Sequence, residues 1–471
     1  MPFILAYLAA YLQKNNIKLK VIDAYAEQPG NVYHYRGLKA RGLEIAGIGD
    51  YFTQDQEVYL LVLVRCVQAF DYIKDLSSWL KNNNYKARII AIENNQAVSS
   101  FSLRYCVKEM KDALDFAVLG EAEITCLELL QAIKRGEKDF SKVAGLVYKK
   151  GSEMIINPER ENLIDLGEIP PPAWDLFPLE NYWQQKVAHG PFHSSRYLAV
   201  LSSRGCPFKC RFCVIPDTNH ARFRAKSAKG FADELEFLSK RYNVTEFHLE
   251  DVNASVKHSR IQELCEELIR RTLNLKWKLV SGIKIETLTP ELVALMARAG
   301  CDYISFSPET GSKRLISLMN KPFNFAHTYK VLRAMTRAKI NTQACYVLGF
   351  PGENRADIKE TRRSIFRLVR NGISEIAVFI ITPVPGSDIF KNKELTGYSS
   401  LSELSFSPLW RKDYKYLKKQ RLNLYLVFFL AKILCQPLSV FIHIYRLLRR
   451  RFHTKMEMVA YRTLGFILGC R

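Results

Sequence analysis

Three cysteines in the segment CPFKCRFC, Cys206, Cys210 and Cys213, are the residues of this 471-residue chain whose type and spacing bear most directly on chemistry. Random placement of eleven cysteines gives about 0.006 occurrences of this spacing. Thiolates this close in sequence can fold around one soft metal centre. A structural zinc closes its tetrahedron with a fourth side chain. None stands nearby: His220 lies seven residues beyond Cys213, and the next cysteine is Cys265. Three thiolates on a 4Fe-4S cluster, by contrast, leave one iron open to a chelating ligand.

The elements around this loop must hold it in place. From Tyr197 onward, strand-like runs at 197–201, 246–249, 277–280, 303–306, 342–348 and 376–381 alternate with helical periods at 231–241, 260–271, 290–299, 313–319, 326–338 and 357–370. Thr289 and Pro290 read as the cap and first turn of a helix that Gly300 ends. Six such β/α units predict an open, partial (β/α)6 barrel, with its chemistry at the carboxyl ends of the strands. The cysteine loop follows the first strand. Before the barrel, residues 1–150 also alternate: helix 5–14, strand 18–23, strand 58–64, helix 72–81, strand 88–92, strand 116–119 and helix 121–134. This predicts a doubly wound parallel sheet covered on both faces. Residues 151–196 read as a linker, broken by Pro170-Pro171-Pro172 and Phe177-Pro178. Its Trp174, Leu176, Phe177 and Trp183 predict that it packs down.

With these residues in order, the chain resembles the radical S-adenosylmethionine (SAM) superfamily over residues 197 to about 390. The resemblance rests on CPFKCRFC, on FHLEDVNAS (247–255), on the stretch from Ser281 to Ser312 that ends in SPETGS, on YVLGFPGE (346–353) and on ITPVPGS (381–387). It implies that Cys206, Cys210 and Cys213 hold a 4Fe-4S cluster and that SAM chelates the open iron. Phe212 would lie against the adenine, Glu309 would accept from the ribose hydroxyls, and Glu250, Ser307, Gly349 and Gly352 would line the cofactor. Gly349 and Gly352 are residues beside which a ligand can approach backbone closely. Lys284, and similarly Arg224, would meet the SAM carboxylate or the substrate. The activity implied is reductive cleavage of SAM to a 5′-deoxyadenosyl radical. An external electron donor such as a flavodoxin or ferredoxin, and methyl transfer or radical rearrangement on a small-molecule or lipid-like substrate, go with it.

The order of domains, with PPPAWDLFPLENYW (170–183) between them, is similar to the cobalamin-binding class of that superfamily, which includes methyltransferases and an anaerobic ring-forming cyclase. LAYLAAYL (5–12) and LGEAE (119–123) carry this resemblance. Other positions depart from it. The DxHxxG loop and the first strand of the Rossmann-like domain are missing, and Glu93-Asn94-Asn95 stands where the class has Gly-Gly. Cobalamin therefore stays an open cofactor. A relic domain that shapes the site, or a start site set too far downstream, are the alternatives.

The formal net charge is +22, and half of it lies between Arg411 and Lys455 of the basic C-terminal region, 391–471. Arg411 to Lys455 contains twelve Lys or Arg and one acid, Asp413. The apolar run 422–445 is interrupted by Lys432, Gln436, Pro437 and His443, so a helical pair packed on the barrel, an interfacial segment at a membrane surface and a spanning helix are weighed in that order. Nucleic acid is a poor partner because no aromatic single-strand platform interleaves with the charges. Cys66, Cys106, Cys126, Cys265, Cys301, Cys345 and Cys435 read as buried apolar residues in a reducing compartment. Residues 1–11 carry no basic n-region or cleavage site, so a cytoplasmic protein, touching a membrane at most peripherally, is expected. A non-catalytic docking scaffold and a tRNA-modifying enzyme are the rival functions.

Overall fold

The computed structural model describes residues 1–471 other than 97–99, 162, 406 and 468–471. Two sheets organise the chain. The first contains β1 (Val58–Val64), β2 (Ala87–Glu93), β3 (Phe116–Val118), β4 (Leu146–Lys150) and β5 (Glu153–Ile156) in that spatial order. Around it lie helices α1 (Phe3–Lys14), α2 (Ala69–Asn82) and α3 (Ala122–Lys134). Leu8, Leu12, Cys126 and Leu129 of α1 and α3 cover one face of the sheet, and Phe70, Ile73 and Leu76 of α2 cover the other. Burial of apolar residues on both faces explains the continuous hydrophobic runs of its parallel strands.

Two expectations are corrected here. Residues 18–23 form no strand. Asp23 caps the short helix Ala24–Glu27 and accepts from Tyr182 Oη at 2.7 Å, which commits the segment to a turn. The sheet is also mixed. Residues 153–156, read as linker, pair antiparallel with β4 across a tight turn at Gly151-Ser152. A hairpin needs only such a short connection, and a parallel return would need a crossover.

The second sheet has six parallel strands in sequential order: β6 (Leu198–Val200), β7 (Glu246–Leu249), β8 (Lys276–Ile283), β9 (Cys301–Glu309), β10 (Asn341–Leu348) and β11 (Glu375–Ile380). Between them run α4 (Ala228–Tyr242), α5 (His258–Arg270), α6 (Pro290–Arg298), α7 (Lys313–Leu318), α8 (Phe325–Arg337) and α9 (Arg355–Arg370). Thr289 caps α6 through Leu292 N with Pro290 in its first turn, as expected, and Asn354 with Asp357 forms a capping box on α9. Side chains alternate across these strands. Trp277, Leu279, Ile304, Phe306, Ala344 and Tyr346 join the helix-side core. Residues of the other parity, Glu246, His248, Glu250, Lys278, Ser305 and Gln343, are buried and polar. The inner face of the sheet is therefore a polar surface.

Helix α1 joins the two halves. Its Phe3, Ile4, Ala6 and Tyr7 belong to the core of the second sheet, and Leu8 and Leu12 to that of the first. Trp174, Phe177, Leu179 and Trp183 of the linker are buried in the same large core, as expected of a segment that packs down. The C-terminal helices are α10 (Tyr414–Cys435), α11 (Pro437–Leu448) and α12 (Lys455–Ile467). Leu417, Leu424, Phe428 and Ala431 bury one face of α10 in the same core. Among the isolated cysteines, Cys106, Cys126, Cys265 and Cys301 are buried. Cys66 and Cys345 are half-buried and Cys435 is exposed, contrary to expectation. Cys345 lies on the polar inner face, and Cys435 lies at the outer end of α10.

Candidate active site at the cysteine loop

The loop 206–213 is held from two sides. Arg211 N donates to Met319 O at 3.0 Å, and Asn320 Nδ2 donates to Lys209 O at 2.9 Å. Arg211 also pairs with Glu394. Within the loop, Cys213 N donates to Cys210 O at 3.0 Å. Burial pushes all three thiols above their ordinary pKa, that of Cys213 to about 12, and Lys321 opposes the shift at each. Lys284 opposes it at Cys206 and Cys210. Desolvated thiols facing two ammonium groups are poor free thiolates. Metal coordination deprotonates them.

Among the described residues, no three His, Cys, Asp or Glu side chains converge on a single-ion site. Zinc, with bonds of about 2.3 Å, would draw its sulfurs that close together. A cluster takes each thiolate on a different iron and suits a wider trio. Asn253 Nδ2, 4.0 Å from Cys206 Sγ, adds a donor to the sulfur. The donor set and its cationic surroundings fit a three-cysteine iron–sulfur cluster.

Several expected residues gather around this loop. Glu309, at positive φ, pairs with Lys321 Nζ at 2.5 Å. Burial works to lower the Lys321 pKa, but Glu309 and Cys210 hold it above its ordinary value. Lys321 also lies over the Phe212 ring, and Phe212 packs on Leu315, Met319, Phe350, Ile381 and Ile389. This apolar patch beside a carboxylate matches what an adenosine needs. Lys284 Nζ donates to Pro322 O at 2.6 Å and lies over Phe208, 4.6 Å from the ring centroid. Ser307 lies on the inner face against Gly282, where a Cβ would come within 2.2 Å of its Oγ. Neither Lys321 nor Asn253 was singled out in the sequence: Lys321 lies beyond the SPETG motif, and Asn253 lies inside FHLEDVNAS, whose acidic residues drew the reading to Glu250.

Others are engaged elsewhere. Glu250 Oε2 meets His189 Nδ1 of the linker at 2.7 Å. Burial raises the Glu250 pKa, but His189 overrides it and holds the group at about 2. Arg224 pairs with Glu121 and Ile164 O, in the contact between the two sheets' domains. Gly349 makes room for the C-terminal segment. A Cβ there would lie 2.6 Å from Leu417 and 2.8 Å from Arg411, whose Nη1 donates to Gly349 O at 3.0 Å. Gly352 O accepts from Arg314 Nη2 at 2.7 Å. Of the two glycines, Gly349 makes room for the protein's own C-terminal segment, and a Cβ at Gly352 would make only an ordinary contact, 3.6 Å from Leu318 Cδ1.

Glu353, in the same motif, yields a pH prediction. Its Oε2 accepts from Gly349 N at 2.5 Å, and its Oε1 is buried without a partner. Burial pushes its pKa up to about 7, against the pull of the Gly349 N–H. The folded state thus holds a proton that the unfolded chain releases near pH 4.5, and stability falls as pH rises from there through 7. The full effect is about 3 kcal/mol. Glu353→Gln keeps an acceptor for Gly349 N and is expected to flatten this slope. Urea midpoints from about pH 5 to about pH 8 measure it, and an unchanged slope would refute the assignment.

Residues 200–365 match the family model of the radical SAM superfamily. The chain carries a radical SAM domain. The cytidylyl-2-hydroxyethylphosphonate methyltransferase of Streptomyces wedmorensis is 24% identical over 461 residues, covering 88% of this chain and 81% of that one. The anaerobic magnesium-protoporphyrin IX monomethyl ester cyclase of Rubrivivax gelatinosus is 26% identical over 283 residues, 59% of this chain and 49% of the cyclase. Among solved structures, the radical SAM methyltransferase TsrM from Kitasatospora setae, with cobalamin and a [4Fe-4S] cluster bound, superposes with a TM-score of 0.64 at 16% identity, covering 85% of this chain and 73% of TsrM. That last likeness is one of fold. The radical SAM domain implies a 4Fe-4S cluster and SAM, and the chain is an enzyme.

A bulky cobalamin tail would need room where Glu93-Asn94-Asn95 stand, at the boundary of the N-terminal sheet and the radical SAM domain. Here that boundary is tied by direct contacts. Gln96 Nε2 donates to Asn219 Oδ1 at 2.6 Å, Gly205 N donates to Gln96 Oε1 at 3.2 Å, and Asn219 Nδ2 donates to Asn95 O at 2.9 Å. Glu93 accepts from Leu103 N and Gly120 N at 2.7 Å each. The cleft left beside them, lined by Arg104, Glu121, Arg160 and His220 among others, has room for little more than a few water molecules. Drug-sized ligands already fill about 300–1,000 Å³, and cobalamin with its nucleotide tail is larger. As arranged, these residues do not fit it.

Proposed function

We propose that this radical SAM enzyme cleaves SAM reductively to methionine and a 5′-deoxyadenosyl radical, which abstracts hydrogen from a small-molecule or lipid-like substrate and so starts a rearrangement, or a methyl transfer whose methyl group comes from a second SAM. The observation that carries the proposal is the convergence of Lys284, Lys321 and Glu309 on the three-thiol loop at the carboxyl end of the parallel sheet. The bound cluster would supply the electron. The protein's own residues then do the positioning. Glu309 offers the ribose hydroxyls an acceptor, and the patch of Phe212, Phe350 and Ile381 offers adenine an apolar wall. Lys284 and Lys321 balance the anionic charge of thiolates and of a SAM carboxylate. The polar inner face, with Ser305, Ser307 and Cys345, would receive the substrate, and its enclosure would limit water around the radical. Pro207 and Lys209 leave one side of the loop exposed, where an acidic flavodoxin or ferredoxin could approach.

The test is anaerobic reconstitution with iron and sulfide, with and without hydroxocobalamin. A brown protein that forms 5′-deoxyadenosine from SAM without added cobalamin is the expected result. Uptake of zinc in place of iron would overturn the proposal, and so would an intact cluster that leaves SAM whole.

A further inference from the structure

Helices α10 and α11 meet at Gln436–Pro437 with a bend of 111°. No single helix among the described residues is long and apolar enough to cross a membrane. The polar residues that interrupt the apolar run turn toward the protein. Lys432 Nζ donates to Gln436 Oε1 at 2.7 Å and to Ser439 Oγ at 3.3 Å. Gln436 Nε2 donates to Val369 O, and His443 Nδ1 meets Glu457 Oε1 at 2.5 Å. With these groups facing inward, the outer side is apolar along both helices. Twelve large apolar side chains between 422 and 448 are exposed, and α11 buries none of its residues. Near the bend, Leu434, Leu438 and Phe441 are 75%, 77% and 70% exposed. The apolar face is on the order of 1,000 Å², against about 300–600 Å² for the largest patch on a typical monomer.

The charges are placed just as unevenly. Lys415, Lys418 and Lys419 are exposed at the start of α10, and Arg449, Arg450 and Arg451 are exposed beyond the end of α11. No acidic residue occurs between Tyr414 and Met456. The elbow thus has an apolar apex and two basic ends. We propose that it docks this protein on an anionic lipid surface, its apex entering the apolar boundary of one leaflet and its basic ends lying among the headgroups. A second copy of the chain would oppose like charge to like charge, which disfavours self-association on this face. Helix α11 is about 18 Å long against a hydrocarbon core about 30 Å thick, and α10 keeps Leu424, Phe428 and Ala431 buried in the protein core, so we take the elbow to dip into one leaflet without crossing. Leu424 and Phe428 at one end and Lys455, whose Nζ donates to Val280 O at 2.7 Å, at the other tie the elbow to the barrel. Docking would therefore orient the whole enzyme.

The proposal is independent of the reaction catalysed. It is tested by sedimenting the full-length, anaerobically reconstituted protein with phosphatidylcholine vesicles, with and without phosphatidylglycerol. Binding to the anionic vesicles is expected to be at least tenfold tighter than to neutral ones and to weaken with added salt. The triple variant Leu434→Asp, Leu438→Asp, Phe441→Asp changes only exposed side chains. It should lose vesicle binding while iron content, SAM cleavage and thermal melting stay as in the parent. Arg449→Gln, Arg450→Gln and Arg451→Gln together should weaken anionic binding by about two orders of magnitude. Equal binding by parent and triple variant would overturn the proposal. So would a dimer, seen by light scattering in the parent and absent from the variant, that does not bind vesicles.

Discussion

Cys210→Ala is expected to remove the iron–sulfur absorption of the reconstituted protein and with it the formation of 5′-deoxyadenosine from SAM. Loss of an outer hydrogen-bond partner of a metal ligand already costs about 10–100-fold in metal affinity. Loss of one of only three ligands should exceed that, with iron content falling below detection. The neighbouring sulfurs cannot compensate, since Cys206 and Cys213 are held on the same short loop and no further side chain completes a metal site among the described residues. Cys435→Ala is the matched control: its thiol is exposed on α10, outside the loop, and iron content should not change. Full SAM cleavage by Cys210→Ala would mean that the loop is not the reaction centre. Equal iron loss in both variants would point to general damage by the substitutions.

The barrel was legible because each of its strands sits between helices of clear period. All six strands and all six helices expected from Tyr197 onward form within a few residues of the expected bounds. The cysteine loop, Phe212 and Glu309 were legible for a different reason, their local motifs. Lys321 and His189 were not, because their importance comes from contacts the sequence does not display: Lys321 to Glu309 twelve residues back, and His189 to Glu250 sixty-one residues on. The YVLGFPGE glycines show a limit of another kind. A glycine motif signals close approach but not what approaches, and at Gly349 the neighbour is Arg411. The mixed edge of the first sheet was missed because its two short strands, Leu146–Lys150 and Glu153–Ile156, carry little periodic signal, and the second follows a turn inside a segment whose prolines suggested a linker.

Arg204→Met should destabilise the protein by about 3–5 kcal/mol, the cost of leaving buried carboxylates without their partner. Arg204 lies two residues before the first cluster cysteine. Its guanidinium donates to Glu123 at 2.6 and 3.0 Å and to Glu121 at 3.1 Å, and all three side chains are under 8% exposed. Glu121 keeps Arg224 in the variant, so the exposed fault is at Glu123. Burial works to raise the Glu123 pKa, but Arg204 holds it below the ordinary value. In the parent, this pair therefore contributes stability above the carboxylate range, lost as pH falls through it. In Arg204→Met the sign reverses: Glu123, unpaired, is pushed upward by burial and takes up a proton, so the penalty should be smaller at about pH 5 than at about pH 8. The double variant Arg204→Met, Glu123→Gln removes the uncompensated charge and should recover more than half of the loss. Denaturant midpoints at the two pH values measure these terms, and iron retention after gel filtration reports whether the cluster loop shares in them. A single variant that loses under about 1 kcal/mol, or loses the same at both pH values, would show that the contact between the N-terminal domain and the cluster loop does not depend on this ion pair.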